Sequence, residues 1–112
     1  MIKEPCKFPG ADEIWLSNEG LDRIPPWISS CKKLKHLVLS DNRIEKIEGL
    51  AGLENLASIY LQGNRIKKIE GITDLPSLRW LDLRFNPINQ RECDAFKKKH
   101  RNKFTTSCTP TL

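Results

Sequence analysis

No stretch of this sequence approaches the roughly 20 consecutive apolar residues that carry a helix across a membrane. No membrane association is expected, and MIKEPCKFPG, with a lysine but no apolar run after it, does not read as a secretory leader. Apolar residues make up 38% of the 112, enough for one modest core and therefore one domain. The four cysteines, at positions 6, 31, 93 and 108, match no zinc spacing such as C-x2-C and are too sparse for a disulfide framework. They read as free thiols in a reducing compartment, which points to the cytoplasm, with the nucleus as the alternative. A glycine-rich phosphate loop and a nucleophile elbow are also missing. No catalytic activity, cofactor or metal is expected.

What the sequence does contain is repetition. LSDNRIEKIEGL at 39–50 and LQGNRIKKIEGI at 61–72 share eight of twelve positions at an offset of 22. The period extends outward through Leu34, Leu56 and Leu78; Leu37, Ile59 and Leu81; Leu39, Leu61 and Leu83; Asn42, Asn64 and Asn86; and Ile44, Ile66 and Ile88. Each unit reads L-x-x-[LI]-x-L-x-x-N-x-I. The [LI]-x-L core alternates with period two, the pattern of a short strand with one buried face. The asparagine stands where the chain turns inward, and its amide can donate to and accept from backbone groups that the turn would otherwise bury unpaired. One unit cannot cover its own apolar face, so the units must stack. A divergent first unit keeps the order through Ile14, Leu16, Leu21, Ile24, Ile28 and Cys31, with Glu19 in the asparagine position.

These residues carry a resemblance. The pattern is similar to leucine-rich repeats, and LSDNRIEKIEGLAGLENL with LQGNRIKKIEGITDLPSL resembles the 22-residue subclass named after a phosphatase-1 regulatory subunit. NPINQRECDAFKKKH resembles the helical cap that follows the last repeat in that subclass. The resemblance implies an α/β solenoid: a short curved stack with a parallel sheet on the concave face and a cap at each end. The expected organisation is an N-terminal cap over 1–13, repeats over 14–33, 34–55, 56–77 and 78–88, a capping helix over 89–104 and a loose tail over 105–112. Asn89 followed by Glu92 fits a capping box at the start of that helix, and Cys93, Phe96, His100 and Phe104 recur at helical spacing.

The residues between the buried ones should face the concave surface. They form the columns Glu13, His36, Ser58, Trp80; Trp15, Val38, Tyr60, Asp82; and Ser17, Ser40, Gln62, Arg84, with Phe85 just beyond. Large aromatics and arginine are the side chains enriched at binding hot spots. Trp15, His36, Val38, Tyr60, Gln62, Trp80, Asp82, Arg84 and Phe85 are therefore the candidate protein-binding residues. The aromatics serve as anchors, and His36, Asp82 and Arg84 set polar specificity. His36 near Glu13 and Asp82 suggests acid–base chemistry, but an open sheet excludes too little water for it. Charge is uneven: 89–112 hold six Lys/Arg against two Asp/Glu, leaving the first 88 residues at about +1 of the total +5. Lys97, Lys98, Lys99 and Arg101 are candidate polyanion contacts, or the polar side of a helix whose C-terminus favours cations. The expectation is a non-catalytic, monomeric scaffold that binds a helix or extended segment of a protein on its concave sheet. The alternative is an adaptor in a nucleoprotein complex whose basic segment touches nucleic acid. A third reading, a phosphatase regulatory subunit, follows only from the name of the subclass.

Overall fold

The computed structural model describes residues 4–108, so the first three residues of the expected N-terminal cap and positions 109–112 of the expected tail lie outside the described residues. Five three-residue strands form one parallel sheet in chain order: β1 Glu13–Trp15, β2 His36–Val38, β3 Ser58–Tyr60, β4 Trp80–Asp82 and β5 Thr105–Ser107. The register follows the repeat, with Glu13 beside His36, His36 beside Ser58 and Ser58 beside Trp80. Chain order and parallel pairing together require each connection to travel out over the convex side and return, as in a solenoid. A 3-10 helix, Pro26–Ser30, makes the first return, with a proline in its first turn where no N–H is needed.

The core is the inward face of that stack. Ile14, Leu37, Ile59 and Leu81 occupy the central position of successive strands, and Leu34, Leu39, Leu56, Leu61, Leu78 and Leu83 flank them, all buried. Ile44, Ile47, Leu50 and Leu53 close the second unit from the convex side. The asparagines form the expected ladder. Asn64 donates from Nδ2 to the carbonyls of Leu39 (3.0 Å) and Leu61 (3.0 Å), and its Oδ1 accepts from the Ile44 N–H at 3.0 Å. Asn86 repeats this on Leu61, Leu83 and Ile66. Asn42 bonds to Leu16 and Leu39 and accepts from Glu19 and Leu21. Each amide thus ties its own turn to the unit before it, satisfying backbone groups that no strand ladder reaches.

The ends depart from expectation. The cysteines are not free thiols: Cys6 is bonded to Cys31 and Cys93 to Cys108. Cys6–Cys31 joins the N-terminal cap to the first repeat and Cys93–Cys108 joins α1 to the end of the segment that follows it, proximities that spacing alone does not reveal. At the N-terminal end, Phe8 packs edge-on against the buried Trp27 with ring centroids 5.7 Å apart, and Ser30 donates to the Glu4 carbonyl at 2.7 Å. At the other end, α1, Gln90–His100, buries Cys93 and His100. Asn89 caps it by accepting from the Arg91 N–H at 2.8 Å. Glu92 does not complete the capping box; its carboxylate accepts from the Ile69 N–H at 2.7 Å and pins the helix to the preceding repeat. The segment expected to be loose is β5 over Thr105–Ser107, which pairs with β4 and covers its open edge. Its sequence is polar and carries no apolar alternation, but Cys108 fastens it to α1 directly behind.

Candidate functional site

The concave sheet is where the sequence placed the candidate residues. Period-two alternation turns Trp15, Val38, Tyr60 and Asp82 away from the core in one register column, continued by Ser107. Trp15 is 68% exposed, and its indole N–H donates to the Glu13 carboxylate at 3.0 Å, which fixes the ring. Tyr60, Trp80, His36 and Gln62 are half-buried. Val38 and Ser58 are covered by their neighbours, so they form floor rather than contact points.

Asp82 differs from its expected role. It is 1% exposed, and its carboxylate is occupied by Arg84, which donates from Nε at 2.9 Å and from an Nη at 2.8 Å, and also from its backbone N–H at 3.1 Å. Hydrogen bonding to Asp82, then that residue's charge, raises the Arg84 guanidinium further above its already high pKa. Asp82 orients Arg84 and has no free carboxylate for a partner.

Phe85 carries a backbone cost. Asn18, Asp41, Gly63 and Phe85 hold equivalent positions just before the inward turn, and all have left-handed φ values of 56°, 57°, 74° and 59°. Asparagine, aspartate and glycine tolerate that conformation; in phenylalanine it costs about 1–2 kcal/mol. Phe85 remains 45% exposed, so burial offsets that cost only in part. Strain held at an exposed aromatic is a pointer to function.

One depression brings several of these residues together. It measures about 510 Å³ and is lined by Glu13, Trp15, Ser17, His36, Val38, Ser40, Tyr60 and Gln62. Trp80, Arg84 and Phe85 lie outside it, toward β5, so the candidate residues divide into two parts of one face. Glu13, Ser17 and Ser40 line the depression but were not among the candidates, although the same columns contain them. Ser17 and Ser40 are hydrogen-bonded to each other at 2.8 Å, whereas Gln62 Oε1 is buried and has no partner among the described residues.

The basic segment lies elsewhere. Lys97, Lys98, Lys99 and Arg101 are exposed at the C-terminal end of α1, and among the described residues none takes part in an ion pair. On the opposite side of the helix His100 is 7% exposed, with ring centroids 4.5 Å from Phe96 and 5.4 Å from Phe104. Burial, then the charges of Lys99 and Lys103, lowers its pKa. Among the described residues there is no grouping of three or more metal-ligating side chains, and no helix is long and apolar enough to cross a membrane.

Stacked strand–turn units, an asparagine ladder and a concave parallel sheet closed by caps define a short leucine-rich-repeat solenoid. The chain belongs to the leucine-rich-repeat family, whose profile matches residues 10–66 and 48–88. No curated protein sequence matches significantly. Among solved structures, a leucine-rich-repeat protein of Leptospira interrogans is 25% identical over 95% of this chain, with a TM-score of 0.75. An internalin of Listeria monocytogenes is 26% identical over 70%, with a TM-score of 0.64. A chain of the Drosophila melanogaster SNF/U2A′ complex is 24% identical over 88%, with a TM-score of 0.69, a likeness of fold. This chain spans 26%, 23% and 60% of those three chains, respectively.

Proposed function

We propose that this chain is a non-catalytic, monomeric scaffold that binds another protein through its concave sheet. The observation that carries the reading is the set of exposed and half-exposed aromatics, Trp15, Tyr60 and Trp80, turned out on one face of the sheet. Aromatics on a pre-organised surface supply contact area at little entropic cost. The strained, exposed Phe85 and the oriented Arg84 extend that face. The period of 22 supports placing the chain in the subclass named after the phosphatase-1 regulatory subunit, with no particular partner implied. A photo-crosslinking residue at Gln62 should capture a partner that the same residue at the convex Lys67 does not. Equal capture from both positions would refute the concave-face reading.

The two disulfides support an oxidising compartment in place of the cytoplasm expected from the sequence. Protein isolated from its source under thiol-blocking conditions should carry no alkylatable cysteine; four alkylated cysteines would restore the cytoplasmic reading. A second reading is contact between the basic segment and nucleic acid. It is favoured by the exposure of Lys97, Lys98, Lys99 and Arg101 without ion pairs. It requires binding that weakens steeply with salt and is lost on neutralising those four residues.

A further inference from the structure

We propose that the depression on the concave sheet is a slot for a cationic side chain, specifically an arginine presented by an extended segment of the partner protein. This rests on the concave-face reading above and gives it a chemistry. Trp15 and Tyr60 stand in one register column with Val38 between them. Their backbones are two strands apart, roughly 10 Å. Val38 is the buried floor, so two aromatic walls border a gap closed beneath by an apolar surface. A planar guanidinium stacks about 3.5 Å from an aromatic face, so a gap of roughly 10 Å admits it against either wall with its edge turned to the other.

The polar rim selects the same ligand. Glu13 is the one carboxylate lining the depression, and no lysine or arginine lines it. One of its oxygens accepts from the Trp15 indole, and the other has no hydrogen bond among the described residues. At the opposite rim Gln62 Oε1 is buried and has no partner among the described residues. A buried acceptor without a donor is costly, which favours the Gln62 amide turning toward a donor that enters the depression. Arginine is all donor, with five N–H groups in a plane, and its charge is attracted to aromatic faces. A carboxylate-bearing ligand would meet Glu13 with like charge, and an aliphatic one would leave both acceptors unpaired.

The test uses the oxidised full chain, followed by amide and indole NMR shifts. The probes are N-acetyl-arginine methylamide, its neutral near-isostere N-acetyl-citrulline methylamide, and N-acetyl-norleucine methylamide. The arginine probe should saturate shifts at Trp15 Nε1, His36, Val38, Tyr60 and Gln62. The citrulline probe should bind about tenfold more weakly, a difference of about 1.4 kcal/mol. Glu13→Gln should remove most of the arginine preference while leaving the rest of the spectrum in place. Equal binding of citrulline or norleucine at these residues would overturn the cation slot and leave the concave face as a binding surface. Shifts confined to α1, or none at the slot with any probe, would overturn the slot. The concave-face reading is then judged independently by the crosslinking at Gln62.

Discussion

Replacing Asn64 by alanine isolates what holds the repeats in register. The amide makes three bonds, but their loss has unequal consequences. The Leu39 carbonyl also accepts from Asn42 and the Leu61 carbonyl from Asn86, so both keep a donor. Among the described residues the Ile44 N–H bonds only to Asn64 Oδ1, and it becomes a buried orphan. Two lost bonds at about 1 kcal/mol each and one orphaned donor at about 1–3 kcal/mol give a destabilisation of about 3–5 kcal/mol. That is a large part of the about 5–15 kcal/mol that stabilises a domain. Asn55→Ala is the control: the same deletion, at an exposed site with one bond, 3.1 Å to the Lys32 carbonyl. Its expected cost is below about 1 kcal/mol. Urea unfolding of both variants with the disulfides intact reads the difference. A cost below about 1 kcal/mol for Asn64→Ala, or equal costs for the two, would refute the ladder's role.

Three further outcomes follow from particular residues. Thr106 points into the core in line with Leu81, and its buried hydroxyl has no partner among the described residues. Thr106→Val should therefore raise stability by about 1 kcal/mol or more, several degrees in Tm, and a fall on calorimetry would contradict the account of β5. Phe85→Asn relieves the left-handed backbone while losing a half-buried ring, so urea unfolding should change by less than about 1 kcal/mol although partner affinity drops; an unchanged affinity would remove Phe85 from the interface. His100 has its pKa lowered below 6.5 in the folded chain. Above that value both states hold it neutral, and as pH falls through it the unfolded chain takes the proton more readily, so stability is lost on acidification. Tm between about pH 7.5 and pH 5 should fall less in His100→Phe than in the parent, and equal slopes would show that His100 is not the group responsible.

The repeat, the strands and the asparagine ladder were legible because each unit must solve the same burial problem with the same residues. Leu37, Ile59 and Leu81 announce a strand face, and Asn42, Asn64 and Asn86 announce the turn, without help from distant parts of the chain. The concave columns were legible for the same reason, since alternation fixes which side chains turn outward. The disulfides were not, because Cys6–Cys31 and Cys93–Cys108 depend on how the caps dock, and no local spacing encodes docking. Strand β5 was hidden because Thr105–Ser107 has no apolar alternation; it pairs because β4 presents an edge and Cys108 holds it there. Asp82 was misjudged because Arg84, two residues on and on the same face, closes back over it. The left-handed position left a signal in sequence: Asn18, Asp41 and Gly63 are types that accept it, and aligning them with Phe85 would have marked the phenylalanine as the exception.

The account's central claim is that the concave aromatics bind the partner. Its most direct test is the affinity of the crosslinked partner, once purified, for the parent chain and for a folded Trp15/Tyr60/Trp80→Ser variant, in the presence of nuclease. Hot-spot aromatics are each worth about 2 kcal/mol or more, so the account predicts a loss of at least about 100-fold with the Tm little changed. Unchanged affinity in the folded variant would contradict it and move the interface to the caps and the basic end of α1.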